Sequence, residues 1–500
     1  MSKIFVCLFI AIFFIINSII SFAEEKPSGR DISEKSIANL DVAPLLFVAS
    51  PDGRHVAYAA EAGDKQFVVI DGKEGEHYDG IGRAIFFSFD STRVAYIAII
   101  GKKLAVVVDG KEGKHYDNLG HNIIFSPDSR HVAYVAQVGD KQLVVIDGKE
   151  GNYYNIIGSD ITFSSDSKRF AYSAAIKNKG FIVLDGKEEK HYDFIGSILA
   201  FSPDGKHIAY DAQIQNKGFV VIDGKEEKQY DGIVSNLVFS PDSKHVAYVA
   251  ELKNKLFVVI DGKEEKQYDG IVSNLIFSPD SKHVAYVAKS GNKLFVVVDG
   301  QEGMPYDGIE TGSIIFSPDG KRIVYGALSE KECFIVVDGQ EGKHYNGLGY
   351  PLVFSPDSKR VAYVAQLGEK WSVVIDGKEG KLYDDIGKST LIFSPNSKRV
   401  AYGAQSGNKQ RFVVIDGREG MHYDSIGFSL VFSPDSMHLL YVAQASKKQF
   451  VVVDNSEGKH YDEVLVIGKG NVIFDSFDSF HYLATRDKNI YLVEFKIKGN

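Results

Sequence analysis

Cysteine is almost missing from this 500-residue chain: there are two, Cys7 and Cys333. Cys7 lies in an N-terminal apolar stretch, so no disulfide can brace the rest of the molecule, and stability has to come from packing. Proline is sparse as well. Nine of the thirteen prolines stand in one recurring Ser-Pro-Asp/Asn turn, which makes proline punctuation here and not a sign of disorder. An excess of positive charge is also absent. The chain carries 57 Lys and Arg against 66 Asp and Glu, a net charge of -9, and most lysines sit beside a carboxylate, as in DGKEEKQYD. Phosphate binding needs clustered cations and a positive field, so no nucleic-acid partner is expected. Beyond the first residues no apolar run is long enough to span a bilayer, so no membrane span is expected after signal cleavage.

The N-terminus is built differently. Lys3 precedes an apolar stretch over residues 4–16, and Ser21-Phe22-Ala23 places small residues where a signal peptidase inspects the chain. Residues 1–23 are therefore expected to be a signal peptide cleaved after Ala23, giving an exported protein, periplasmic or secreted. An uncleaved N-terminal anchor is the alternative. Residues 24–36 read as a short linker and residues 37–500 as a repeat region.

The repeat has a period of 38 or 39 residues and occurs twelve times. Residues 274–311, NLIFSPDSKHVAYVAKSGNKLFVVVDGQEGMPYDGIET, show its three landmarks. The first is the Asp of the Ser-Pro-Asp turn, from Asp52 and Asp90 through Asp280 to Asn396, Asp435 and, more loosely, Asp478. The second is an Asp-Gly after a Val-rich run, from Asp71 to Asp416, degenerating to Asp454-Asn455. The third is a Tyr-Asp or Tyr-Asn pair, from Tyr78-Asp79 to Tyr461-Asp462. Between them lie short runs of Val, Ile, Phe and Tyr bounded by turn residues, the signature of strands. Each unit offers four. NLIF is turned back by Ser-Pro-Asp; HVAYVA follows; a Gly-Asn-Lys turn leads to LFVVVD, whose Asp-Gly is a hairpin signal; the last strand lies around KQYD. Strands two and three are apolar on both faces, so each sheet needs cover on both sides, and neighbouring sheets are the available cover.

Such a stack could stay open or close into a ring, and its ends favour a ring. The last unit has strands at residues 472–474, 481–485 and 489–495 and then stops, while Leu40-Asp41 sits in 38-residue register with Tyr78-Asp79 as an orphan fourth strand. A fourth strand from the N-terminus completing the last sheet hides two edges at once. The expected fold is all-β: a β-propeller of about twelve four-stranded blades, closed by pairing of N- and C-terminal strands. One large ring and two six-bladed rings, split near residue 270, both fit the spacing.

The motif FSPDG or FSPDS followed by an apolar strand, as at Phe201-Ser202-Pro203-Asp204-Gly205, resembles the PD-type, WD40-like propeller repeats of the TolB family. The resemblance covers about residues 40–500 and implies the blade. TolB-type proteins carry an α/β domain ahead of the propeller, for which residues 24–36 leave no room, so a role in the Tol system is not expected.

No chemistry is expected from the sequence, so neither catalytic, cofactor-binding nor metal-ligating residues are assigned. There is no Gly-x-Ser-x-Gly elbow for a serine hydrolase. The acidic turns lack the spacing of a calcium loop and read as turn residues. The Tyr-Asp pairs read as Tyr packed on the next blade with Asp bonded to a nearby amide. The His and Arg residues that alternate at the start of strand two, such as His131 and Arg169, read as solvated. Polar residues entering the first strands, His121, Asn122, Asp160, Asn236, Asn274 and Asn471, read as the lining of a wet central channel. They are also the nearest approach to the convergent Glu, Asn and Asp set of a metal-dependent lactonase-type propeller. Departures from the repeat at Tyr153-Tyr154-Asn155, Met304-Pro305, Glu332-Cys333, Gly349-Tyr350-Pro351 and Trp371 mark where a unique site could lie. The function these features favour is a non-catalytic scaffold binding a protein, peptide or glycan. The alternatives are a lactonase- or hydrolase-like enzyme using the channel, and a purely structural surface protein.

Overall fold

Each repeat folds into one antiparallel sheet, and there are twelve. The computed structural model describes residues 30–40, 44–158, 161–310, 312–407, 410–467 and 470–497, so the expected signal segment lies outside the described residues. Blade 6 is typical: Gly232–Phe239, Val246–Leu252, Lys255–Ile260 and Lys263–Glu264 pair in that order. The first strand is longer than the NLIF core, beginning just after Tyr-Asp and containing two register shifts. The extra residues bend it, as bulges do. The fourth strand is shorter than expected, two residues followed by an isolated bridge such as Leu256 to Tyr268.

The turns form for the reasons their residues suggest. In blade 3 the Asp128 carboxylate accepts from the Arg130 amide and the Ser126 hydroxyl, at 3.1 and 2.6 Å. Asp147 and Gly148 both have positive φ, 51° and 75°, as the hairpin joining strands three and four requires.

Three contacts recur where one blade meets the next. Apolar side chains come first: Ala133 and Val144 of blade 3 pack with Tyr172 and Val183 of blade 4. In the same layer the tyrosine of most Tyr-Asp pairs meets the next blade's second-strand tyrosine edge-on, Tyr116 against Tyr134 with ring centroids 6.3 Å apart. Next, the serine after the turn Asp accepts the amide of the preceding blade's Asp, as Ser167 does from Asp128 at 2.9 Å. These serines hold φ near +60°, where glycine is favoured. The hydroxyl contact between blades offsets that cost, and Gly205 and Gly320 take the position without it. Finally, a lysine reaches across the outer edge to the next blade's fourth strand, as Lys114 reaches Glu150 at 2.6 Å.

The apolar clusters decide the ring count. Each is shared by consecutive blades, blade 6 with blade 7 through Ala247, Val258 and Tyr286, and blade 12 with blade 1 through Leu483, Ile490 and Tyr58. Two six-bladed rings would pack blade 6 on blade 1. The molecule is therefore a single twelve-bladed β-propeller, without a split near residue 270.

Closure uses Arg30–Asn39, paired antiparallel with Asn489–Ile497. This strand takes residues 30–36 out of the expected linker, because the last strand runs on to Ile497 and needs a partner along its length. It is also two residues out of the expected register. Ala38, not Leu40, lies opposite Ile490, in the place where Tyr78 faces Gln66. Around it the seam has its own chemistry. Arg54 of blade 1 donates to Asp475 and Glu494 of blade 12 at 2.8 and 2.7 Å. His481, 2% exposed, takes the place of the small alanine found elsewhere, such as Ala57. Its Nε2 donates to the Asp52 carbonyl at 2.7 Å and its Nδ1 lies 2.9 Å from the Asp475 carboxylate. Both ring nitrogens thus face oxygen atoms of the seam. Glu34 on the closing strand accepts from Lys459 at 2.8 Å and from the Tyr461 hydroxyl, with Arg486 at 3.4 Å. Among the described residues no helix is long and apolar enough to cross a membrane.

Candidate functional site

Three of the six residues expected to line the channel, Asn122, Asn274 and Asn471, have described side chains. Asn122 is exposed on its first strand, and Asn274 is exposed in the break between Gly270–Ile271 and Ile276–Phe277. Asn274 borders a cavity of about 650 Å³ with Ser273, Val272 and Gly312. Asn471 is buried, and its amide donates to the Val464 and Leu465 carbonyls at 3.2 Å, which makes it a brace for the irregular loop before it. Asp160 and the side chains of His121 and Asn236 lie outside the described residues. Among the described residues no three His, Cys, Asp or Glu side chains group as metal ligands would.

The Tyr-Asp pairs behave as expected. Tyr116 is buried against the next blade, and the Asp117 carboxylate accepts from the Gly139 amide at 2.7 Å and from Lys103 at 2.6 Å. Those donors, the backbone amide foremost, hold its pKa below the ordinary value. The His and Arg positions are half-exposed and also paired: His131 Nδ1 lies 2.7 Å from Asp147 Oδ2, and Arg93 Nε 2.9 Å from Asp109 Oδ2. The two residue types alternate because either supplies a donor to the same carboxylate oxygen.

Against this regularity, the seam between blades 3 and 4 opens. Lysines bridge seven seams, by way of Lys114, Lys190, Lys228, Lys266, Lys343, Lys381 and Lys459. At the blade 3/4 seam the equivalent residue is Asn152, too short to span. A slot of about 480 Å³ lies there, bordered by His131, Asp147, Lys149, Glu150 and Asn152 of blade 3 and by Phe163, Phe170 and Tyr172 of blade 4.

Phe170 stands where ten other blades start strand two with a smaller aliphatic residue such as Val132 or Val246; blade 12, with Phe480, is the one other with a phenylalanine there. Its ring stacks on Tyr172 at 6.5 Å and meets Phe163 edge-on at 6.5 Å, while Phe163 lies over the His131 ring. The result is an aromatic wall facing a rim with both signs of charge. Lys149 has no ion-pair partner among the described residues, and Glu150 is held by Lys114. That hydrogen bond lowers the Glu150 pKa, keeping the carboxylate charged. Beside the slot Tyr153 is 46% exposed, its hydroxyl 3.4 Å from Glu150. A site of this kind grips a flat or weakly polar ring on its face and orients it by polar groups at the edge.

Sequence reasoning singled out Tyr153-Tyr154-Asn155 beside this slot but missed Asn152 and Phe170. Comparing each repeat position down the twelve units would have found both.

No family model and no curated protein matches the chain. Among solved structures it is similar to a eukaryotic initiation factor, with a TM-score of 0.34 and 15% identity over 67% of this chain and 97% of that one. TolB from Acinetobacter baumannii gives 0.24 and 14%, over 51% and 77%. The β-propeller domain of the Trilobed protease from Pyrococcus furiosus, described as having an open velcro topology, gives 0.25 and 17%, over 53% and 94%.

Proposed function

We propose that this protein is an exported, non-catalytic binding scaffold whose specific site is the slot between blades 3 and 4, taking a ring-bearing segment of a peptide or glycan. The observation that carries this is the paired departure from the repeat, Asn152 for lysine and Phe170 for a smaller aliphatic residue, on the two walls of one cavity. One change removes a bridge and the other adds a stacking surface, which together suit capture of a flat ring. The TolB-type character of the repeat rests on its FSPDG and FSPDS motifs and supports a propeller platform for such a site.

The test is binding of the chain without residues 1–23 to peptide and glycan arrays, followed by titration of the hits. Asn152→Lys is expected to reach Glu188 as Lys114 reaches Glu150 and to close the slot. It should weaken a hit roughly tenfold or more, about 1.4 kcal/mol, with the fold intact. Phe170→Val should do the same by removing the stacking face. Hits that bind both variants as tightly as the parent, or arrays without hits, would refute the slot as the site.

A further inference from the structure

The second position of each third strand points at the seam, toward the backbone N–H of a first-strand residue in the next blade. Three glutamines there accept that N–H: Gln66 from Ile81 at 2.8 Å, Gln142 from Ile157 at 2.7 Å and Gln449 from Val464 at 2.8 Å. Gly180 and Gly218 confirm the direction, since a Cβ on either would come within 3.2 and 2.9 Å of the Ile195 and Ile233 nitrogens. In blade 10 the residue is Arg411, facing Ile426. An arginine has five donors and no acceptor, so a donor stands where three other blades place an acceptor.

Arg411 borders a cavity of about 250 Å³ with Ile426, Gly427, Thr390 and Lys388. Its guanidinium has no hydrogen-bond or ion-pair partner among the described residues. Lys388, exposed at the mouth, adds a second cation, and Asp385 is the one carboxylate on the lining. The loop between them is fixed: Gly387 donates to the Gly403 carbonyl at 2.9 Å, and Thr390 Oγ1 accepts from the Gly403 amide at 2.9 Å and donates to the Gly387 carbonyl at 2.6 Å. Thr390 is thus occupied, leaving Arg411 and Lys388 as the charged donors.

We infer that this cavity between blades 10 and 11 is a binding site for a small oxyanion, a carboxylate or a phosphate group. The anion accepts from Arg411, and the volume suits a group of a few heavy atoms and not a whole nucleotide. Asp385 limits affinity for a doubly charged anion, which favours a carboxylate or a singly charged phosphate ester. The site is independent of the slot between blades 3 and 4.

The experiment is calorimetric titration of the mature chain with sodium acetate, inorganic phosphate, and one short peptide with a free or an amidated C-terminus. Saturable binding of at least one anion is expected, and Arg411→Gln should weaken it roughly tenfold or more, with an unchanged circular dichroism spectrum. The variant carries the residue that Gln66 provides elsewhere, so it is expected to fold. Lys388→Gln, at the exposed mouth, should weaken binding less and serves as the second probe. Binding of acetate and of the free-carboxylate peptide only assigns a carboxylate; binding of phosphate only assigns a phosphate group. Absence of binding by all probes, or undiminished binding to Arg411→Gln, would overturn the inference.

Discussion

The seam that closes the ring and the seams that repeat around it solve one problem with different materials. A repeated seam uses short contacts that cost little sequence: a serine hydroxyl, a tyrosine pair and, at seven places, a lysine at the rim. The closing seam joins strands from opposite ends of the chain and has no covalent help. It adds Arg54 between Asp475 and Glu494 and His481 buried beneath Asp52, and it extends the usual rim contact of a lysine with a fourth-strand glutamate, Lys459 with Glu34, by Tyr461 and Arg486. A contact between neighbours in sequence forms with a short loop to close, whereas this one has the loop entropy of the whole chain against it. Ion pairs, a buried histidine and many hydrogen bonds mark the place where that cost is met.

The sharpest way to break this contrast is to truncate equivalent-looking histidines. His481→Ala leaves a cavity and a carboxylate without its partner, and a loss of about 2–4 kcal/mol is expected in urea unfolding. His131→Ala removes a half-exposed pair and should cost less than about 1 kcal/mol. Equal losses would show that the closing seam is no different from the rest.

Acid should separate the seams next. Burial alone would raise the Asp475 carboxyl, but hydrogen bonds and charge from His481 and Arg54 bring it below the ordinary value. Glu34 is lowered in the same way by Lys459, Tyr461 and Arg486. A carboxyl lowered in the folded state contributes stability above its unfolded value, about pH 4, and loses it as pH falls through the folded one. Hydrogen exchange is therefore expected to open the amides of Asn489–Ile497 at a higher pH than those of a third strand such as Lys255–Ile260. Simultaneous loss of protection would remove the distinction.

The smallest effect lies in the repeated seams. Ser129→Gly relieves a φ of 65° and gives up the hydroxyl that accepts the Asp90 amide at 3.0 Å. The two terms oppose, so thermal unfolding should shift by less than about 1 kcal/mol in either direction. A larger loss would make the hydroxyl more than a local aid.

How legible each part was follows from the same contrast. Blades, turns and the packing of Tyr116 could be read because each is written many times over. The choice of one ring could not, since the step from Tyr268 to Leu275 between blades 6 and 7 resembles every other step. The closing strand was found, but its register slipped by two because residues 30–39 carry no repeat landmark. Of the candidate sites, the aromatic neighbourhood of Tyr153 stood out, while Phe170 and Arg411 were hidden as hydrophobic or charged residues at positions where such types look ordinary. What distinguishes them is the partner across the seam, which a single unit does not contain. The pairing behind the alternation of His131 and Arg169 went unread because the shared partner, an Asp-Gly carboxylate, is sixteen residues away in each case.

The tyrosine and serine contacts have a consequence for how such a molecule changes size. Because the interior seams are made from the same parts, deleting or duplicating one whole unit creates no junction of a new type; the cut ends meet as familiar neighbours. Only curvature must adjust, shared over all the seams, while the special junction between first and last blades is carried along unaltered. Blade number in this architecture is thus a property of copying, open to change by a single recombination, and closure is a property of the two ends alone.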